Sequence, residues 1–303
     1  MITISITEGL GNQLFQYFFA ESLRIKLGKA GDINYLYDFK ENNQKKLWEI
    51  FNVDIQWLDI KETNNYHYLC NFSPSSRNIL AKIVKVLKLN KHINLLEDES
   101  RLDLVNLSKN KNYLFRGYWQ NYKFFEDNFE IIKKKLIFKN KIILRDLLSD
   151  HGLLKNNPNV VGVHIRGGDY LLKKNKKLKN NIDGKYYFDS IELFLKVYKN
   201  CLFIFFTDDL TYLEKIISFK NNNFIKISDI SKERINDFQL LSQCDNYIIP
   251  NSTYSLWAYY LNKNNNKFIY TPSKWFVFNK NKIDNFISKE ILNKKKEYMR
   301  LFG

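Results

Sequence analysis

Cysteine is scarce: three residues in a chain of 303, odd in number and far apart. That excludes a disulfide framework, and Cys70, Cys201 and Cys244 lack the paired spacing of a zinc site, so each reads as a buried thiol. Long apolar runs are also missing. The longest, CLFIFF from Cys201 to Phe206, falls far short of the roughly 20 residues a bilayer-spanning helix needs. The opening MITISITEG has neither the charged head nor the apolar run of a secretory signal. The expected location is the cytoplasm, with peripheral contact on the inner face of the membrane. Acidic residues are outnumbered, 32 against 48 lysines and arginines, for a net charge of +16. An anionic partner is one explanation. A composition bias is the other, because lysine and asparagine recur together in loops such as KKNKKLKNN and NKNNNKF. No zinc-finger, RNA-recognition or basic-zipper pattern accompanies the charge, so nucleic acid is not an expected partner.

What is present is apolar and aromatic: 45% hydrophobic and 16% aromatic residues, enough to pack a core and to exclude disorder. The length suits two domains. Residues 2–6, ITISI, read as a buried strand. Gly9 and Gly11 follow as a tight loop, with Asn12 as N-cap of a helix whose Phe15, Phe19, Leu23 and Leu27 recur at i, i+4 and which stops at Gly28. NFSPSSRN reads as a loop, ILAKIVKVLKL as a helix and NYLFRGYWQN as a strand with a polar exit. From about residue 156, strands (NVVGVHI, CLFIFF, NFIKIS, NYIIP) alternate with helices (YYFDSIELFLKVYK, LTYLEKIISF, KERINDFQLLSQC, TYSLWAYYL). That alternation predicts a parallel sheet covered by helices. The expected division is 1–155 and 156–303, with the final helix, from about Asn285, returning to the first domain.

Ligands of open α/β sheets bind beyond the carboxyl ends of the strands. Three such ends carry polar clusters. RGGDY follows VVGVHI, and Arg166 there suits bidentate contact with phosphate oxygens. Gly167 and Gly168 permit close backbone approach, and Asp169 either holds Arg166 or caps the turn. His164, on the strand itself, is a pocket residue or a satisfied core histidine. TDD follows CLFIFF; Asp208 and Asp209 suit a metal, a guanine edge or a helix cap. NST follows NYIIP, so Asn251, Ser252 and Thr253 open a helix whose N-terminus attracts anions and is itself well capped by such residues.

GLGNQLFQY (9–17), HIRGGDY (164–170), FTDD (206–209), DFQLLSQCDNYIIPNSTYSLWAYYL (237–261) and PSKWF (272–276) occur in this order. This set resembles the bacterial α-1,2-fucosyltransferases of glycosyltransferase family eleven. The motifs fill about a quarter of the chain but bracket nearly all of it. The resemblance implies an α/β fold of GT-B type, two Rossmann-like domains facing a cleft. The first would be the acceptor-side domain and the second the GDP-sugar-binding one. It implies inverting transfer of L-fucose from GDP-fucose to the 2-hydroxyl of a terminal galactose on a surface glycan, lipid-linked or otherwise, with no cofactor and no metal. The alternatives are another nucleotide-sugar on the same fold, or a basic nucleic-acid-binding protein without activity.

On that reading Arg166 is catalytic through charge neutralisation on the departing GDP. Asp169 is the acid nearest to it in sequence and stands as a base. Gly9, Gly11, Asn12, Gln13, His164, Asp208, Asp209, Asn251, Ser252 and Thr253 line the donor. Three positions depart from the family pattern: Glu8 replaces a glycine, Gly167 an arginine, and Ala258 the glycine after Trp257. The second departure leads to the expectation that Gly167→Arg tightens GDP binding, with backbone amides, the Ser252 helix end or Lys274 compensating meanwhile. The basic tail FISKEILNKKKEYMRLF is expected to rest on an anionic lipid surface or to pack on the first domain.

Overall fold

The computed structural model describes residues 2–28, 33–37, 45–57, 93–96, 112–155, 157–171, 182–198 and 200–272. Cys70, Lys274, the PSKWF motif after its first residue, the helix expected at 79–89 and the basic tail lie outside the described residues.

The chain divides into two compact units, Met1–Ile137 and Phe138–Gly303. The division comes earlier than the expected 155/156, and side-chain hydrogen bonding within the second unit explains why. Gln243 Oε1 accepts from Leu144 N–H (2.9 Å) and its Nε2 donates to Ile142 O (2.8 Å). Gln239 Nε2 donates to Asn140 O (2.9 Å). Residues 138–155 are thereby tied to the second unit's own helix.

In the first unit, β1 (Ile2–Ile6) is wholly buried and enters α1 (Leu10–Leu27) through a short loop. The strand β2 (Ile33–Tyr37) pairs with one edge of β1. A one-turn helix α2 (Leu47–Ile50) and two-residue β3 (Phe51–Asn52) follow. Later come β4 (Ile93–Leu96), β5 (Asn112–Phe115), α3 (Phe129–Lys135) and two-residue β6 (Ile137–Phe138). The sheet order is β2-β1-β5-β4, all parallel. α1 is buried nearly all round, so it behaves as a core helix rather than a one-sided amphipathic one. Its aromatics pack as expected: Phe19 stacks on Trp119 at 4.4 Å, and Phe18 meets Phe125 at 5.4 Å. Gly28 ends it in the left-handed region, φ 63°, a conformation glycine adopts without penalty.

The second unit holds α4 (Leu144–Asp150), β7 (Asn159–Ile165), α5 (Gly184–Val197), β8 (Cys201–Thr207) and α6 (Leu210–Ile216). It continues with β9 (Phe224–Lys226), α7 (Ile227–Ile230), α8 (Asp237–Leu241), β10 (Asn246–Ile248), α9 (Thr253–Leu261) and β11 (Phe268–Tyr270). The parallel sheet runs β11-β10-β7-β8-β9. Both β7 and β8 are buried on both faces, which is why they read as unbroken apolar runs instead of alternating ones. The stretch expected as one helix over 232–244 is a 3₁₀ turn (Arg234–Asn236) followed by the short α8. Two parallel-sheet units of this kind are the Rossmann-like domains of an α/β GT-B fold. Cys201 and Cys244 are buried and free; burial pushes the Cys201 thiol up to about 11, so both are inert packing groups. No helix of the described residues is long and apolar enough to cross a membrane.

Candidate active site

In the second sheet the chain moves outward from β7 through β8 to β9, then returns to lay β10 and β11 on the other side of β7. The direction reverses between β7 and β10. The crevice at the carboxyl ends of those two strands is a topological switch point, where ligands of open α/β sheets bind. The three polar clusters leave β10, β7 and β8, which are neighbours, so the fold brings them to one edge.

Arg166 leaves β7 with its side chain 31% exposed, and its Nη1 lies 3.1 Å from Asp208 Oδ2. The pairing follows from register: Ile165 stands opposite Thr207, so the first residues past each strand end meet. Asp208 Oδ1 also accepts from Gly167 N–H at 2.7 Å. The acid that holds Arg166 is thus Asp208 and not Asp169. Asp169 sits in the 3₁₀ turn Gly168–Leu171, and its side chain lies outside the described residues. Asp209 is the N-cap of α6; its Oδ1 accepts from Tyr212 N–H at 2.9 Å. The two aspartates therefore do separate structural work, and neither carboxylate faces the ligand side uncommitted.

Gly167 has a steric explanation. A Cβ placed there would lie 2.5 Å from the Cβ of Asp209, and one at Gly168 (φ +35°) would lie 2.9 Å from Asp208 Oδ2. Both glycines exist so that the β7 exit can lie against the two aspartates. This steric limit runs against the expectation for Gly167→Arg. A side chain at 167 must displace Asp209, and one amide of the glycine pair is already given to Asp208.

His164 is 4% exposed. Its Nδ1 is 2.9 Å from Ser255 Oγ, and that hydroxyl donates to Ser252 O at 3.3 Å, so His164 donates from Nδ1–H. Burial, and then the Arg166 charge, lower its pKa to about 3. The residue is a neutral brace joining the end of β7 to the first turn of α9, the core-histidine alternative of the two. Asn251 and Ser252 are buried, Thr253 is half-buried, and Ser252 N-caps α9 without a side-chain hydrogen bond. The positive end of α9 thus opens at the crevice edge next to Arg166.

Sequence reasoning missed a cavity of about 200 Å³ at the carboxyl ends of β8 and β9. Phe205, Thr207, Leu210, Ser228, Lys232 and Asp237 are among its walls. Its residues come from four elements and the loop after α7, so no local pattern announces it.

In the first unit the chain order likewise reverses between β1 and β5. The helix begins one turn earlier than expected: Gly9 is the N-cap, and Gly11 and Asn12 lie inside α1. Gln13 is buried and saturated. Its Nε2 donates to Glu8 O (2.7 Å) and Lys45 O (3.0 Å), and its Oε1 accepts from Leu47 N–H (2.8 Å). Gln16, which sequence reasoning passed over, accepts from Thr7 N–H (3.0 Å) and donates to Gly117 O (2.9 Å). Asn12 Oδ1 accepts from Gln120 Nε2 at 2.6 Å. Uncharged amides therefore knit the β1 and β5 exits together, and Gln13 is a clamp on the loop instead of a donor ligand. Glu8 has φ 65° and Trp119 φ 52°, left-handed conformations that cost a non-glycine residue about 1–2 kcal/mol each.

Known proteins resemble this chain in sequence and in fold. The chain is 26% identical over 297 residues to the O-antigen biosynthesis glycosyltransferase WbnK of Escherichia coli, covering 90% of this chain and 94% of the relative. It is 29% identical over 287 residues to an Escherichia coli alpha-1,2-colitosyltransferase, covering 91% and 92%. Its fold matches a mutant of Arabidopsis thaliana FUT1 in complex with GDP, with TM-score 0.52 and 14% identity over 91% of this chain and 71% of that one. The family model described as Glycosyl transferase family 11 matches residues 1–299, so a parallel-sheet protein with an arginine and a helix N-terminus at its switch point belongs to glycosyl transferase family 11.

Proposed function

We propose that this glycosyltransferase moves L-fucose from GDP-fucose to the 2-hydroxyl of a terminal galactose on a surface glycan of the O-antigen type, with inversion and without a metal. The observation that carries the reading is the meeting of Arg166 and the α9 N-terminus at the switch point of the second sheet. A fixed guanidinium and a helix dipole are both matched to a departing diphosphate. As the acceptor hydroxyl attacks the anomeric carbon and the bond to phosphate breaks, negative charge grows on the phosphate oxygens. Donors already aimed there stabilise that charge without reorganising. Asp208 keeps the guanidinium in place but also offsets part of its charge, so the helix end is required as a second source of positive potential.

On this reading the base of the nucleotide enters the cavity beside β8. Asp237 is the carboxylate on its wall, and it takes over the guanine-reading role that Asp208 and Asp209 cannot fill while they hold Arg166, Gly167 and the α6 cap. The similarity to a colitosyltransferase favours a second donor, because colitose is fucose without its 3-hydroxyl. The test is GDP release with lactose as acceptor, run with GDP-fucose and with GDP-colitose, in the presence and absence of EDTA. The reading expects fucosyl-lactose, the faster rate with GDP-fucose, and a rate indifferent to chelator. Turnover with GDP-colitose alone overturns the donor; loss on chelation restored by magnesium overturns the metal-free mechanism.

A further inference from the structure

We propose that Glu8 and Tyr118, at the carboxyl ends of β1 and β5, form the subsite for the acceptor sugar. The Glu8 carboxylate takes two vicinal hydroxyls, and the Tyr118 ring covers the apolar face of the same pyranose. This rests on the glycosyl-transfer reading given above.

Backbone strain is the first observation. Of the three non-glycine residues with positive φ among the described residues, two, Glu8 and Trp119, flank this one crevice. Strain of this kind persists only where surrounding contacts hold it, and it gathers at functional sites. The contacts here are the Gln13 bond to Glu8 O and the Gln16 bonds to Thr7 and Gly117. A glycine at position 8 would adopt the same backbone freely, so the carboxylate is kept against the local preference.

Side-chain placement is the second. The Glu8 side chain is exposed, and its carboxylate makes no hydrogen bond or ion pair among the described residues. Trp119 is turned inward and fully buried on Phe19, which leaves its neighbour Tyr118 turned outward and 45% exposed. The Tyr118 phenol is pushed up by burial and then by the charge of Glu8, so the two groups share one neighbourhood. An outward aromatic ring beside an uncommitted carboxylate offers an apolar face and a strong hydroxyl acceptor together.

Charge decides which substrate enters. Amides of Gln13, Gln16, Asn12 and Gln120 tie the strand exits of this crevice, Arg116 leaves β5 on the same edge, and Glu8 is an exposed acid beside them. A diphosphate would be repelled by Glu8, whereas an uncharged sugar gains charge-assisted hydrogen bonds from it.

The experiment uses the full chain and four proteins: the parent, Glu8→Gly, Glu8→Gln and Tyr118→Ala. Lactose binding is followed by saturation-transfer NMR and by acceptor KM, GDP binding by calorimetry, and folding by thermal melting. The proposal expects Glu8→Gly to melt no lower than the parent, to bind GDP within twofold, and to lose at least tenfold in lactose affinity. Tyr118→Ala should lose a similar factor, and Glu8→Gln a smaller one, since an amide still accepts one hydroxyl. Lactose affinity within twofold of the parent in Glu8→Gly and Tyr118→Ala overturns the proposal. So does absence of saturation transfer from the parent to lactose, or a loss of GDP affinity in Glu8→Gly, which would put this loop on the donor side. Failure of the parent to bind GDP would instead strike the donor reading, and the lactose comparison would still decide the subsite.

Discussion

The two switch-point crevices are built alike and furnished differently. Each lies where the chain order of a parallel sheet reverses, at β1/β5 and at β7/β10. In the first unit the strand exits are tied by Gln13, Gln16, Asn12 and Gln120, all uncharged. In the second they are tied by an ion pair, Arg166 with Asp208, and by an aspartate cap. Amide clamps have directional donors and acceptors and create no field. An ion pair leaves a local charge pattern that a phosphate senses. The backbone framework is shared, and the ties that hold its loops differ in charge.

The largest effect should come from removing the second unit's cation. Arg166→Ala is expected to lower transfer at least a hundredfold, about 3 kcal/mol in the barrier. Because Arg166 is partly exposed, the variant should still fold, as circular dichroism and thermal melting would verify. Activity within a few-fold of the parent would mean that the charge contrast has no catalytic meaning.

Acid should break the second unit before the first. The folded pKa of His164 is lowered to about 3, by burial and then by Arg166, from an ordinary 6.5. Below 6.5 the unfolded chain takes up this proton and the folded one does not. Stability is therefore fully present above pH 6.5 and lost progressively as pH falls toward 3, by on the order of 3–5 kcal/mol in the limit. Denaturant melts from pH 7 to 4 should show this slope in the parent. His164→Gln should flatten it; an unchanged slope would show that His164 is not the group responsible.

The clamp of the first unit is tested by Gln13→Ala. Three backbone groups lose their partner, and buried unsatisfied polar groups cost about 1–3 kcal/mol each. With partial relaxation, a loss of roughly 2–4 kcal/mol is expected, together with weaker binding of lactose and near-normal binding of GDP. A parent-like melting temperature would show that water replaces the side chain without cost.

The smallest effect concerns Gly167. Gly167→Arg must push Asp209 aside, an overpacking strain of about 1–3 kcal/mol. GDP binding measured by calorimetry should weaken despite the added charge. Tighter binding would show that the α6 cap yields readily and that charge outweighs shape at this loop.

Much of this was legible from residue order. The strands NVVGVHI and NYIIP and the helix TYSLWAYYL stand where periodicity put them, because apolar runs and helical spacing are local signals. So is the placing of polar clusters at the ends of strands, and capping by one of the paired aspartates. The motif set also carried the family. The early start of α1 escaped notice because Gly9, with no side chain, serves as N-cap where Asn12 looked the better one.

What only the tertiary structure decided is which groups meet. Asp169 is the nearer acid to Arg166 in the chain, yet Asp208 holds it, and the amide of Gly167 reaches the same carboxylate across 41 residues. That outcome follows from the register of β7 on β8, which is set by the burial of apolar side chains along both strands rather than by the polar residues at their ends. Gln16 likewise reaches Gly117 across 101 residues because β1 and β5 are neighbours. Sequence fixes the chemistry available at each strand end locally, through spacing and residue type. Partner choice is a property of strand order and register, and these are determined by the packing of the whole sheet.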